Sequence, residues 1–315
     1  MTTLAPVLAV DIGGTKTVVA LVHGTAGTRQ TVRFPTPRNA PDALQLLLRH
    51  CRNLLSDTPV AAIGVSFGGH VSQDRVRSLH VPGWEGIDLV GALGSLAHAP
   101  VGVLNDAEAG ALAEYQGRQH RPHPPASLLY VTMSTGIGGA IVVDGDLYRG
   151  DRGLAGEIGH LPVGGTAACA CGGAGHLESI AAGPAIARLA RSGLGEVRHA
   201  DSVLHGVRHL DARAVALAAE RGDPLARETL QATGSRLGAA LIASVLCLDP
   251  AVIWLGGGVA QSGRDLWDPL RETMHRHPLV NTPVERSLHG SDSALVGAGL
   301  HGLALAKRAY AEAAP

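Results

Sequence analysis

Short continuous apolar runs alternate with stretches of helical spacing along the chain, and this alternation sets the expected element order. Residues 7–10 form an apolar run that predicts a buried strand, and residues 17–22 resume a β-branched pattern. Between them lies Asp11-Ile12-Gly13-Gly14-Thr15-Lys16, whose glycines predict a tight hairpin. Residues 28–33 read as a third strand. Residues 41–55 have helical spacing, with Leu44, Leu47, Leu48, Leu54 and Leu55 near one face. Residues 60–65 read as another buried strand, running into Ser66-Phe67-Gly68-Gly69-His70. Pro82-Gly83-Trp84 marks a turn before a helix to about residue 98. Residues 101–104 read as a strand with Asn105-Asp106 at its end, and residues 107–116 as an alanine-rich helix.

The second half repeats the opening theme. Residues 128–132 and 140–143 read as strands flanking Met133-Ser134-Thr135-Gly136-Ile137-Gly138-Gly139. Two strand–glycine turn–strand units predict an internally duplicated fold that holds a nucleotide between its halves. Helical patterns follow at 184–190, 212–221 and 223–248. A strand at 252–255 ends in Gly256-Gly257-Gly258, and residues 294–311 form a last alanine-rich helix. Three glycines at a strand end either let a flat ligand approach the backbone or make a plain strand–helix connection. The basic, proline-rich stretch 119–125 reads as an exposed loop between domains.

Composition narrows the function classes. A chain of 315 residues can support two cores, and with 3% aromatics those cores must be filled by Ala, Val, Leu and Ile. A net charge of -1 gives no electrostatic case for nucleic acid or membrane as partner. Four cysteines make no disulfide framework in a chain this long and point to a reducing cytoplasm. No charged-then-apolar leader opens the chain. The longest apolar helical run, near 239–248, is expected to be too short to span a bilayer and is stopped by Asp249-Pro250.

Chemistry concentrates in one stretch. Cys169 and Cys171 stand one residue apart, with His160 nine positions before and His176 five after. Two thiolates and two imidazoles form the ligand set of a closed, structural tetrahedral zinc site. The other reading is a pair of small buried cysteines, because the spacing is tighter than the usual finger pattern. Glu157 and Glu178 flank the set and are left for another task. Asp106 lies at the carboxyl end of a strand, where open α/β sheets gather ligands, and it could also cap the helix that follows. The turn at Gly13–Lys16 can aim backbone N–H groups at a phosphate or be an ordinary glycine hairpin.

Taken in order, these motifs resemble the ROK family of sugar kinases over essentially the full chain. The resemblance rests on Asp11-Ile12-Gly13-Gly14-Thr15-Lys16, Asn105-Asp106, Ser134-Thr135-Gly136-Ile137-Gly138-Gly139, Gly156-Glu157-Ile158-Gly159-His160 with Gly175-His176-Leu177-Glu178, and Gly256-Gly257-Gly258. It implies an α/β, actin-like and hexokinase-like ATPase fold of the ribonuclease H type, with two lobes and a cleft. The smaller lobe would be residues 1–118, joined by a C-terminal helix at 300–315, and the larger one 119–299 with the zinc loop. It implies ATP-dependent phosphorylation of a hexose at its 6-hydroxyl, glucose first, with N-acetylmannosamine, N-acetylglucosamine or fructose as alternatives. Asp106 would be the base, and Gly69, Asn105, Asp106, Glu157, His160 and Glu178 would bind the sugar. Asp11 would act on Mg²⁺ through water. Gly13, Gly14, Thr15, Lys16, Thr135 and Gly136 would cradle phosphates, and Gly256, Gly257 and Gly258 would lie against the adenosine. His160, Cys169, Cys171 and His176 would hold structural Zn²⁺.

Three departures from the family pattern stand out. His176 replaces a usual cysteine, Gly68-Gly69-His70 replaces a Pro-Gly turn, and His80 replaces an asparagine. A homodimer is expected from the family alone. The family also includes sugar-sensing transcription regulators, which form the rival class. Those carry an N-terminal DNA reader, and a first strand within ten residues of Met1 is expected to leave no room for one.

Overall fold

The apolar run at Val7 becomes strand β1 (Val7–Ile12), and the glycine turn returns the chain as β2 (Lys16–Val22), antiparallel to it. Strand β3 (Thr28–Pro35) continues the meander on the edge of β2. The computed structural model describes residues 5–23, 28–56, 58–72, 75–119 and 124–313. Most of the 119–125 stretch, expected as an exposed loop, lies outside the described residues. By contact the chain divides into two units, Met1–Gly117 with Asp292–Pro315, and Arg118–Ser291.

In the first unit, helix α1 (Ala40–Leu55) begins where Asn39 accepts a hydrogen bond from the Asp42 N–H at 3.0 Å. A cap of this kind stabilises a helix by about 1 kcal/mol. Strand β4 is Ala62–Phe67, two residues later than the apolar run suggested. Its bounds follow from parallel pairing with β1, from Val7↔Ala62 to Ile12↔Phe67. A short hairpin of β5 (His70–Ser72) and β6 (Arg75–Arg77) follows. The helix expected after Trp84 is split into a single 3₁₀ turn, Trp84–Gly86, and α2 (Leu89–Ala97). Asp88 interrupts it because its side chain caps α2 at the Gly91 N–H. Strand β7 (Val101–Asn105) then pairs parallel with β4 and leads into α3 (Asp106–Gly117).

The second unit repeats the plan. Strand β8 (Ser127–Met133) pairs antiparallel with β9 (Ile137–Val143), and β9 with β10 (Asp146–Tyr148). Helices α4 (Leu177–Ala181), α5 (Gly183–Gly193), α6 (Ala212–Glu220) and α7 (Pro224–Leu248) follow. Strand β11 (Val252–Gly256), helix α8 (Arg264–His275) and strand β12 (Val284–Arg286) complete it. The two sheets, β3-β2-β1-β4-β7 and β10-β9-β8-β11-β12, share one topology: an antiparallel three-strand meander extended by two parallel strands. That shared order is the duplication the two glycine turns foretold.

Helix α7 corrects one expectation. Its 25 residues match the helical pattern at 223–248, but the whole helix, unlike the run at 239–248, could by length and composition alone cross a membrane. Half of its most apolar window is buried, and it packs on α8 and α6 within the second unit.

The last helix, α9 (Ser293–Ala313), returns to the first unit and packs on β1, β4 and α3. It approaches closely because Gly64 has no side chain; a Cβ there would run into the Ala298 carbonyl oxygen. Small residues at such contacts explain how a chain poor in aromatics still packs its sheet.

Candidate active site

In the first unit the ends of β1, β4 and β7 lie level, with Ile12 opposite Phe67 and Phe67 opposite Asn105. The register therefore brings Asp11, the Gly13–Lys16 turn, Gly69, Asn105 and Asp106 to the carboxyl-terminal edge of one sheet. Asp11 is half-buried, and Ser66 Oγ donates to its Oδ1 at 2.9 Å. Burial pushes the Asp11 carboxyl up to about 6, against the lowering effects of the Ser66 hydroxyl and the Lys16 charge. The turn is closed by a Gly13 N–H to Lys16 carbonyl bond of 3.0 Å, and Gly68 donates to the Ile12 carbonyl at 2.8 Å. The His80 side chain packs over the turn, 3.2 Å from where a Gly14 Cβ would stand.

Asn105 is fixed from both sides. Its Nδ2 donates to the Gly69 carbonyl at 2.7 Å, and its Oδ1 accepts from the N–H groups of Ala107 (2.8 Å) and Glu108 (3.4 Å). Glu108 Oε2 in turn accepts from the Asn105 N–H at 3.2 Å. Asn105 makes this reciprocal cap, and Asp106 Oδ1 shares in capping by accepting from the Ala107 N–H at 2.9 Å. Asp106 stands at the first helical position.

In the second unit the stretch Gly156–His160 lies against β9 because three glycines let backbones touch. A Cβ on Gly159 would meet the Ile137 carbonyl, one on Gly139 the Gly156 carbonyl, and Gly156 has φ of 94°. The loop beyond it is pinned by backbone bonds, among them Val163 N–H to Gly175 at 2.9 Å and Cys169 N–H to Gly173 at 2.8 Å. These ties gather His160, Cys169, Cys171 and His176, whose ligand atoms all lie within 4.8 Å of one another. His160 Nδ1 is 3.6 Å from Cys169 Sγ, and His176 Nδ1 is 3.2 Å from Cys171 Sγ. Two sulfurs and two imidazole nitrogens at these separations fit a tetrahedral zinc.

The flanking carboxylates point into the same region. Glu157 Oε2 lies 3.9 Å from His160 Nε2, the ring nitrogen not turned to the cysteines. Glu178 Oε2 accepts from the Ile137 N–H at 3.1 Å, and its Oε1 lies 3.7 Å from Cys169 Sγ. The second turn closes with a Ser134 N–H to Gly136 carbonyl bond of 2.8 Å, which sets Thr135 and Gly136 at the tip. The glycine triplet divides its work. A Cβ on Gly256 would strike the Tyr130 hydroxyl, and one on Gly257 (φ 83°) the Met133 backbone, whereas Gly258 meets nothing within 4 Å. Only Gly258 keeps open space beside it.

Two contributors were not singled out from the sequence as site residues, Ser66 and the Ile137 amide. Ser66 sits inside an apolar strand run, 55 residues from its partner, so only the β1–β4 register reveals it.

The ROK family model matches residues 7–307. The chain belongs to the ROK family. Among its relatives in that family, a glucokinase from Halalkalibacterium halodurans is 31% identical over 92% of this chain and 92% of its own length. An N-acetylmannosamine kinase from Yersinia pestis is 30% identical over 93% of this chain and 97% of its own. The bifunctional enzyme NanE/NanK of Brucella melitensis is 34% identical over 93% of this chain, which spans about half (53%) of that longer protein. A ROK family glucokinase from Streptomyces griseus, solved with glucose and AMPPNP, superposes with a TM-score of 0.85 at 27% identity, covering 95% of this chain and 99% of its own. The fold is thus the actin-like, hexokinase-like ATPase fold of ROK proteins, with its sheet plan present twice.

Proposed function

We propose that this ROK protein is an ATP-dependent hexokinase that phosphorylates the 6-hydroxyl of a hexose, with glucose preferred. The observation that carries the reading is the reciprocal Asn105–Glu108 cap. It fixes the head of α3, so that Asp106 stands on the same sheet edge as Asp11 and the first glycine turn. Phosphoryl transfer needs a base or orienting group for the attacking hydroxyl, charge compensation on the phosphates and fixed in-line geometry. Asp106 accepts the proton of the sugar 6-hydroxyl as its oxygen attacks the γ-phosphorus. The bond from that phosphorus to the β-phosphate bridging oxygen breaks, and ADP leaves. Asn105 and Gly69 bind and orient the same sugar end.

Glu157, His160 and Glu178 bind the remaining hydroxyls, and each carboxylate can accept from more than one of them. Zinc would be held by His160, Cys169, Cys171 and His176; when bound it gives the loop rigidity and takes no part in the transfer. Magnesium would be held near Asp11, and when bound it neutralises phosphate charge. Thr15, Lys16, Gly13, Gly14, Thr135 and Gly136 cradle the phosphates, and the adenosine lies along Gly256–Gly258, where Gly258 has room beside it. A reducing cytoplasm, which keeps Cys169 and Cys171 as thiols, suits this site. The protein works there as a homodimer, a state that light scattering on the purified chain checks.

The second substrate class is an N-acetylhexosamine, favoured by the similarity to an N-acetylmannosamine kinase at nearly the same identity as to a glucokinase. A panel of glucose, mannose, fructose, N-acetylmannosamine and N-acetylglucosamine with MgATP, followed by ADP release, tests the assignment. The highest kcat/KM is expected with glucose. A clear preference for an N-acetylated sugar overturns glucose and keeps the phosphotransferase.

A further inference from the structure

One residue outside every motif grips the first glycine turn. Thr36 directly follows β3 and is buried at 8% exposure. Its backbone N–H donates to the Thr15 carbonyl at 3.0 Å, and its Oγ1 donates to the Gly13 carbonyl at 2.7 Å. Thr17, itself 2% exposed, lies with its Oγ1 2.8 Å from Thr36 Oγ1. The single Thr36 hydroxyl proton is committed to Gly13, so the proton in the Thr17–Thr36 bond comes from Thr17. The three groups form a directed chain from Thr17 to Thr36 to the turn.

Peptide geometry turns this grip into an aim. In a trans peptide the carbonyl of one residue and the N–H of the next lie in one plane and point in opposite directions. The described residues contain no cis peptide. Drawing the Gly13 carbonyl onto Thr36 therefore points the Gly14 N–H away from Thr36, and drawing in the Thr15 carbonyl does the same for the Lys16 N–H. The geometry points to Thr36 as the positioning residue of the phosphate turn: it orients two backbone donors toward the nucleotide's phosphate oxygens without touching the nucleotide itself. This inference rests on the reading of Gly13–Lys16 as a phosphate cradle.

The test is calorimetric binding of MgATP to the full-length chain, with steady-state kinetics alongside. Thr36→Val keeps the side-chain shape and removes the hydroxyl; Thr36→Ser keeps the hydroxyl. Thr36→Val is expected to raise the Kd for MgATP about tenfold while shifting the KM for sugar less than about twofold, the scale of one lost hydrogen bond to a preorganised site. Thr36→Ser is expected to restore most of the affinity. A structural role alone lowers thermal stability and the active fraction but leaves the MgATP Kd of the folded protein unchanged. Wild-type affinity in folded Thr36→Val, or equal losses in both variants, overturns the inference. Should Thr36→Val not fold, Thr17→Val replaces it: a smaller loss of MgATP affinity is expected, and no loss overturns the inference. A wild type that binds MgATP yet phosphorylates no sugar removes the hexokinase reading and leaves this one standing. A wild type that binds no MgATP removes both.

Discussion

At the scale of single residues, Asp106 and Asp11 are the two aspartates of the first unit's candidate site. Asp106, the proposed base, sits at the first position of helix α3. Replacing it with asparagine is expected to lower kcat by about 10²- to 10⁴-fold, the usual span for losing general-base assistance, with little change in sugar KM. Near-normal turnover in steady-state assays would contradict the role. Asp11 is held by burial at about 6, above its ordinary value of 3.8. Between those values the native state keeps a proton that the unfolded chain releases. The stability this supplies is therefore present below about pH 4 and is lost as pH rises through about 6. In metal-free and nucleotide-free protein, Asp11→Asn should gain in melting temperature relative to the wild type across that window and hold the gain above it. A difference that stays flat from pH 4 to 7 would show that Asp11 titrates as an ordinary carboxylate. Asp11, Asp106 and the glycines were legible as motifs because they are local in sequence. Ser66 and Thr36 were not, because what makes them matter is a partner 55 or 23 residues away.

At the scale of elements, the legible ones were long or strongly patterned, and the missed ones were short or interrupted. Strands β10 and β12 have three residues each, too few to show alternation. Helix α8 carries Pro269 in its second turn, where proline has no N–H for the Asp265 carbonyl, so the sequence reads as a break although the helix runs through it. The Gly156–His160 element was legible as chemistry but not as packing. Its glycines matter because they dock the loop's backbone on β9. Gly159→Ala is expected to force that backbone off the Ile137 carbonyl, costing about 1–3 kcal/mol of stability by overpacking. The same change should raise sugar KM more than the Kd for MgATP, because Glu157 and His160 ride on the displaced segment. Chemical denaturation and kinetics on the variant check both expectations, and an unchanged sugar KM would argue against the loop as the sugar-binding element.

At the scale of the whole molecule, the duplicated sheet divides the work. The first unit carries the proposed base Asp106 and the first glycine turn; the second carries the His160, Cys169, Cys171 and His176 cluster, the proposed sugar carboxylates Glu157 and Glu178, and the glycine triplet. The duplication was visible as two similar glycine turns, but its full extent appears only in the matching order of five strands. The replacement of a usual cysteine by His176 leaves a four-donor cluster intact, so the protein should contain one zinc per chain by elemental analysis. Cys171→Ala should lose that zinc and weaken sugar binding while MgATP still binds; a metal-free wild type with full activity would contradict the role of the cluster. The account as a whole stands or falls on the bond that is made. Incubation of the wild type with glucose and MgATP, followed by phosphorus NMR of the product, should give ADP and glucose phosphorylated at the 6-oxygen in equal amounts. ADP formation no faster with any hexose than without one would contradict it.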